Sequence, residues 1–471
     1  MIFFRIFAAV MSSQDSPLSL GTDSISKLLF RYALPAIIAQ VAASLYNIVD
    51  SIFVGQGVGP LAITGLALAM PMMNLSAAFG AMVGAGSAAL TSIRLGQGNK
   101  AAAENILGNV VLLNLVLGFI IMLFGLYFID PLLYFFGASE QTIPYAREYM
   151  RIILYGNVIT HLFHGLNNML RVAGYPNKAM VITLVSVALN AVLDAIFILG
   201  LKWGIAGSAW ATVLSQVISL VLLFSHFARK DSFLRFRREG FRFHWDLIKG
   251  IITIGMAPFM IQSCACIVVI IVNTTLQSYG GDLSIGAYGI ANRVAFLFTM
   301  VVLGFTQGMQ PIVGYNYGAR KYDRALKSMW MTVGWSMLTT TLGFALCELF
   351  PYQVVGLFVS EDGSGDATAL IEASARGLRI LVAMLPIVGF NIVAGNFFQH
   401  IGKPKRAILL SVARQMLFII PLLFILPPIY GVDGVWYSIP IADFVSTALA
   451  GFLLAVQIRK LRQNPSSEIS I

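Results

Sequence analysis

An all-α integral membrane protein, with twelve transmembrane helices in two pseudo-symmetric six-helix bundles, is the fold class this sequence predicts. The first observation is compositional. Of 471 residues, 58% are hydrophobic and only 11% charged, and the mean hydropathy is +0.81. A soluble domain carries about 25% charged residues, so a water-soluble enzyme is excluded. The second observation is twelve apolar windows, each long enough to cross the hydrocarbon, which takes about 20 residues at 1.5 Å rise. The third is positive charge that falls on one side when the chain is threaded through those twelve crossings.

The first window, 28–52, follows the polar stretch SSQDSPLSLGTDS and contains Pro35, a place for a helix to bend. The preceding MIFFRIFAAVM is too short and lacks the cleavage site of a signal peptide, and Met11 is an alternative start. The second window, 60–86, carries Gly80-x-x-x-Gly84; the third, 104–128, follows GQGNK at 96–100. That turn resembles a phosphate loop only faintly, because G-x-x-x-x-G-K-[ST] is not satisfied. In the fourth window, 146–170, His161 and His164 share a helix face, but no third ligand joins them and packing is expected. Windows 178–200 and 204–228 complete the first six. The second six are 250–276, 284–312, 326–350, 372–398, 406–427 and 433–458. Spanning segments must satisfy their own backbone groups, and the alternation of barrel strands is absent, so helices are the default. Cys264, Cys266 and Cys347 fall in apolar text, too few for a disulfide framework or a zinc site.

With the N-terminus inside, 25 of the 31 Lys and Arg residues fall on inner segments. They include Arg94, Lys100, Arg171, Lys178, Arg320, Arg324, Lys403 and Arg414. Seven lie in the central stretch 229–249. Outer segments hold Arg147, Arg151, Lys202, Arg376 and Arg379, which leaves Arg293 as the one basic residue deep in a span. This is a strong positive-inside pattern. It implies a multi-pass protein of the cell inner membrane with both termini cytoplasmic. The +10 net charge therefore reads as topology, not nucleic-acid binding. The implied organisation is a tail (1–27), an N-lobe (28–228), a basic linker lying in solvent against anionic headgroups (229–249), a C-lobe (250–458) and a second tail (459–471).

The halves resemble each other. GYPNKA at 174–179 answers GKPKRA at 402–407, and GIAG at 204–207 answers GVDG at 431–434. Gly80-x-x-x-Gly84 compares with Gly304-x-x-x-Gly308, and Pro35 with Pro258. Six crossings per half give two parallel repeats related by an axis along the membrane normal, as in transporters that alternate access.

Acidic residues inside spans are costly, about 2.5–3.5 kcal/mol each on the insertion scale. Asp50 in SLYNIVDSIF and Asp194 in ALNAVLDAIF are therefore the leading candidates. Asn190 lies one turn before Asp194 on the same face, and Thr212 counts to a similar depth. Two carboxylates, an amide and a hydroxyl suit a proton or a hard cation such as Na⁺. The position matching Asp50 in the second half is Asn273. Arg293 and Gln262 are candidates for a substrate cavity, while Glu348 and Asp443 count closer to boundaries and read as structural. There is no G-x-S-x-G, no H-E-x-x-H and no ATP-binding signature.

Taken together, LPAIIAQ…LYNIVDSIFVG, LGQGNK, LNNMLRVAGYPNKA…LNAVLDAIFI, GIAGSAWATVLSQ, IGAYGIANR and QPIVGYNYGA resemble the multidrug and toxic compound extrusion transporters over residues 27–460. The resemblance implies a cation-coupled antiporter of two lobes around a V-shaped cavity. It would export amphipathic, often cationic compounds in exchange for H⁺ or Na⁺, as a monomer in the bilayer and without a cofactor. It carries a cation site onto Asp50, Asn190, Asp194 and Thr212, and adds Tyr149 and Asn167 to the polar network. The sequence departs from the family in lacking acids in the seventh and tenth spans, which argues against coupling through the C-lobe. Arg171-Val-Ala-Gly174 stands where Arg-Gly-Glu-Gly is frequent. An alternative within the same superfamily, a flippase for a lipid-linked saccharide, would need several basic cavity residues, where only Arg293 is available.

Overall fold

The computed structural model describes residues 17–358 and 365–463; the question of Met1 or Met11 as the start lies outside them. The first six spans are Ile25–Gly57, Pro60–Gly96, Lys100–Tyr127, Ile143–Val172, Pro176–Gly200 and Ile205–Ala228. The seventh to twelfth are Trp245–Gly281, Leu283–Gly318, Tyr322–Leu349, the pair Ala367–Val382 and Leu385–His400, Pro404–Tyr430 and Val432–Gln463. The tenth is bent by 52° at its break. The fourth and ninth are less apolar than the rest but equally long. Most helices overrun their hydropathy windows. The second continues from 86 to Gly96, because a helix persists through Arg94 into the headgroup layer where apolar text has already stopped.

The repeated sequence landmarks have the same backbone in both halves. Gly174 (φ 95°) and Gly402 (φ 67°) make left-handed turns, each followed two residues later by a proline at the first turn of a helix, Pro176 and Pro404. Gly204 (φ 62°) and Gly431 (φ 60°) do the same before the sixth and twelfth spans. A side chain with a Cβ is strained in that region, so the repeat is written in glycine. The GQGNK turn is a helix start: Gly98 has φ 76° and Asn99 Oδ1 accepts the Ala102 N–H at 2.9 Å.

The outer surface of the bundle is apolar at helical spacing. Leu338, Leu342 and Leu346 are 49%, 63% and 45% exposed along one face of the ninth span. Such a stripe on a soluble protein would be an aggregation liability; here it meets lipid. Three of the basic residues on the sparsely charged side are neutralised by acids: Arg147 by Asp130 at 2.6 Å, Arg376 by Asp433 at 2.5 Å and Arg379 by Glu348 at 2.8 Å. The charge asymmetry between the two faces is therefore larger than residue counting gives.

The linker is not a free solvated loop. It folds back on the third span, where Arg237 pairs with buried Glu104 and Asn109 Nδ2 donates to the Gly240 and Arg242 carbonyls at 3.2 and 3.1 Å. Lys100 lies over the Phe233 ring. The aromatic residues of the stretch gave this packing its driving force, and charge counting passed over them.

The hydrophobic cores define how the lobes meet. Away from the basic side, one cluster is built from N-lobe residues (Val54, Leu66, Leu133, Val213) and another from C-lobe residues (Val272, Leu276, Leu378, Trp436). On the basic side the clusters are mixed. Leu28, Leu29 and Tyr32 pack with Met309, Ile312 and Phe397, and Leu90 with Ile248 and Ile251. The lobes thus share buried cores at the basic end and have separate ones at the other. Glycines permit the junction: a Cβ on Gly255 would collide with the Met82 carbonyl, and one on Gly318 with that of Ile93. Gly304 and Gly308 press on Ile37 and Ala33 of the first span, whereas Gly80 and Gly84 face His161 and Asn168 within their own lobe. The repeated motif thus serves different contacts in the two halves.

Candidate functional site

Three helices bring acceptors to one level. Asp50 lies seven positions before Gly57, Asp194 six before Gly200 and Thr212 seven after Ile205. At 1.5 Å per residue all three are about 10 Å inside the end remote from the basic side. The apolar window of the first span ends at 52. The helix runs to Gly57, and Asp50 consequently lies well within it.

Asp50, Asn190, Asp194, Thr212 and Tyr149 are all buried, Asp194 completely. Ser208 Oγ donates to Asp50 Oδ1 at 2.6 Å, Asn190 Nδ2 donates to Thr212 Oγ1 at 3.2 Å, and the Tyr46 hydroxyl lies 2.8 Å from Thr212 Oγ1. Tyr149 lies near enough to Asp50, Asp194 and Tyr46 to interact with them. The Asp50 and Asp194 side chains are near enough to interact electrostatically. Neither oxygen of Asp194, nor Oδ1 of Asn190, receives a hydrogen bond from the protein. Among the described residues no basic side chain pairs with either acid.

Local structure explains the exposure of these acceptors to one another. Asp194 is the last α-helical residue before a π-helical turn, Ala195–Gly200. Such turns widen the helix and recur at functional sites. Buried oxygens without donors are expensive unless a proton or metal ion completes them. Two carboxylates in one dry pocket also repel, so a single shared cation relieves both costs. Oxygen donors alone suit H⁺ or Na⁺. Among the described residues no group of three or more His, Cys, Asp or Glu side chains is arranged to hold a metal.

Two hydroxyls were missed from the sequence, Tyr46 and Ser208. Each lies one helical turn from a residue singled out, Asp50 and Thr212 respectively, so the i, i+4 spacing puts it on the same helix face without showing its partner. Asn167 is not in this group. Its Nδ2 donates to the Ala179 carbonyl at 3.1 Å and to Thr183 Oγ1 at 3.3 Å, near the opposite end of the fifth span. Eleven residues of helix separate Thr183 from Asp194, about 16 Å. Of the cavity candidates, Arg293 is exposed and Gln262 half-buried. Arg293 is not the lone basic residue within a span: half-buried Arg414 pairs with buried Asp443 at 2.6 Å between the eleventh and twelfth spans. Asp443 lies eleven residues into its helix, not at a boundary.

Comparison with known proteins adds a family and a set of folds. The MatE family model matches residues 35–196 and 258–425. The chain is 27% identical over 449 residues to the multidrug export protein MepA of Staphylococcus haemolyticus, covering 95% of this chain and 97% of that protein. It is 24% identical to MepA of Staphylococcus saprophyticus, over 93% of this chain and 95% of the relative. Among solved structures, a MOP superfamily transporter from Pyrococcus furiosus, described as having a binding pocket of reverse polarity, superposes with TM-score 0.90 at 25% identity. An outward-facing multidrug resistance MATE transporter does so with TM-score 0.89 at 26% identity. Both comparisons cover 96% of this chain and 100% of the other.

Proposed function

Since the chain belongs to the MatE family of transporters, we propose that it is a secondary multidrug efflux antiporter, exporting amphipathic, often cationic organic compounds in exchange for H⁺ or Na⁺. The basic face is the cytoplasmic one, both termini lie there, and the protein works as a monomer in the cell membrane. The MepA relatives are multidrug export proteins by name, which supports the substrate class.

One observation carries the antiport reading. Asp50 and Asp194 share a buried pocket in which Asp194 Oδ1, Asp194 Oδ2 and Asn190 Oδ1 lack donors. An external cation entering this pocket from the open side neutralises the pair. Its loading alters the packing of the first and fifth spans, and Pro35 within the first helix gives that helix a place to bend. A ligand shifts a conformational equilibrium only through its differential affinity for the two states. The pair supplies that difference, because its charge is tolerable when water can reach it and costly when the pocket is dry. Binding of an organic cation in the cleft and loading of the acid pair are then alternatives, which is the logic of exchange.

The test is transport by purified protein in vesicles against a panel of cationic dyes, with ΔpH and ΔNa⁺ imposed separately. One of the two gradients should drive dye movement against its concentration. Transport that follows neither gradient would contradict the antiport reading.

A further inference from the structure

The two lobes carry their buried charge at different levels. Aligning the repeat at Pro176 and Pro404 sets Arg414 opposite Ser186 of the fifth span; aligning it at Gly204 and Gly431 sets Asp443 opposite Gln216 of the sixth. In the N-lobe this level is neutral, with Gln216 Oε1 accepting the Thr160 hydroxyl. In the C-lobe it holds a full ion pair. The positions that match Asn190 and Asp194 are Phe418 and Leu422, so the eleventh span is apolar where the fifth carries its amide and acid.

The pair lies near the middle of the membrane. Arg414 is ten residues beyond Pro404 and Asp443 eleven beyond Val432, about 15 and 16 Å from opposite faces. Arg414 Nε approaches Asp443 Oδ1 at 2.6 Å, with side chains 34% and 5% exposed. Asp443 from the twelfth span and Tyr288 from the eighth are the ionisable groups that act on Arg414. Its neighbour Gln415 donates to the Ile261 carbonyl of the seventh span at 3.2 Å. On the tenth span the facing groups are neutral, Asn391 donating to Ser446 one turn from Asp443. Arg414 lies within a π-helical turn, Ala413–Ile419, as Asp194 borders one.

An acid at this depth must be neutralised. For Asp50 and Asp194 the protein offers no cation; for Asp443 it offers one that cannot leave. A guanidinium does not deprotonate in proteins, so Asp443 remains paired through every conformation that keeps the eleventh and twelfth spans together. We propose that Arg414 is a tethered counter-cation that confines ion coupling to the N-lobe, occupying for Asp443 the place that a mobile H⁺ or Na⁺ takes between Asp50 and Asp194. It is a positioning residue: it acts through Asp443 and sets how many cations move per substrate. The inference rests on the antiport reading above and goes beyond it by fixing which acid does not cycle.

The test is the cation-to-substrate ratio, read from the reversal potential of transport in vesicles. Arg414→Gln frees Asp443 and should raise the ratio by about one; Arg414→Gln with Asp443→Asn should return it to the wild-type value. Arg414→Lys and Asp443→Asn alone should leave it unchanged. A merely structural ion pair would move transport rate or expression but not this ratio. An unchanged ratio in folded Arg414→Gln would overturn the proposal, and so would a lowered ratio in Asp443→Asn, which would make Asp443 a coupling acid. If Arg414→Gln does not fold, the Asp443→Asn result decides in the same way. Failure of the antiport reading is recognised separately, as a wild type without cation dependence.

Discussion

At the scale of single residues, the proposed cation site has its affinity tuned by the hydroxyls around the acid pair. Ser208 donates to Asp50 at 2.6 Å, a bond to a charged group worth about 1.5–3 kcal/mol. Ser208→Ala removes a donor that competes with the cation for Asp50. It should therefore change the cation concentration for half-maximal transport by about tenfold, toward tighter binding, with little change in the fold. Titration of efflux rate against pH or Na⁺ checks this; a weakening would mean that Ser208 chiefly orients the carboxylate. Asn167→Ala should leave the cation dependence unchanged, since that amide binds the fifth span near its other end. The acids could be picked from the sequence because a carboxylate in apolar text needs a reason. Tyr46 and Ser208 could not be picked as easily, because hydroxyl side chains in helices commonly bond to their own backbone, and only the tertiary fold assigns them another partner. Asp443 and Arg414 were misread for a different reason. Their depth was counted from soft window edges, and ion pairing hides two charges from a hydropathy scale that scores them singly.

At the scale of elements, the contact that closes the basic side is a seam of backbone against backbone. Gly86 meets the Ile251 carbonyl and Gly255 that of Met82, while Arg171 Nη1 donates to Gln307 Oε1 at 2.7 Å across the lobes. The short turn Pro17–Gly21 is held to the C-lobe by Asn316, Lys321 and Arg324, which donate to the Leu20 and Gly21 carbonyls. Gly255→Val overpacks this seam, a change that typically costs 1–3 kcal/mol in a well-packed core, roughly. It should shift the population toward the form open on the basic side. The check is a cysteine at Ser92, buried beside Gly314, in a background free of Cys264, Cys266 and Cys347. It should react with an impermeant maleimide from the basic side faster in Gly255→Val than in its parent, and equal rates would place the seam outside the gate. The sequence displayed the glycines as repeats. It could not reveal that Gly304 and Gly308 serve the opposite lobe while Gly80 and Gly84 serve their own, since equal motifs carry no record of their partners.

At the scale of the whole molecule, twelve crossings, two repeats and the sidedness of charge were legible because each follows from hydrocarbon thickness, backbone satisfaction and glycine stereochemistry. The bend in the tenth span and the folded linker were not, because both depend on packing between elements. The separation of the lobes' outer cores is likewise a tertiary property. On the proposed reading the acid pair, remote from the seam, takes its cation from the side opposite the basic one. The central claim is that loading of this pair drives export, and Asp194→Asn tests it most directly. The variant replaces a carboxylate by an amide of the same shape, so it should fold and bind a cationic dye with near wild-type affinity. In vesicles it should lose uphill dye transport driven by the imposed cation gradient by at least about tenfold, the effect of one 1.4 kcal/mol difference, while binding persists. Gradient-driven transport at the wild-type rate by Asp194→Asn would contradict the account.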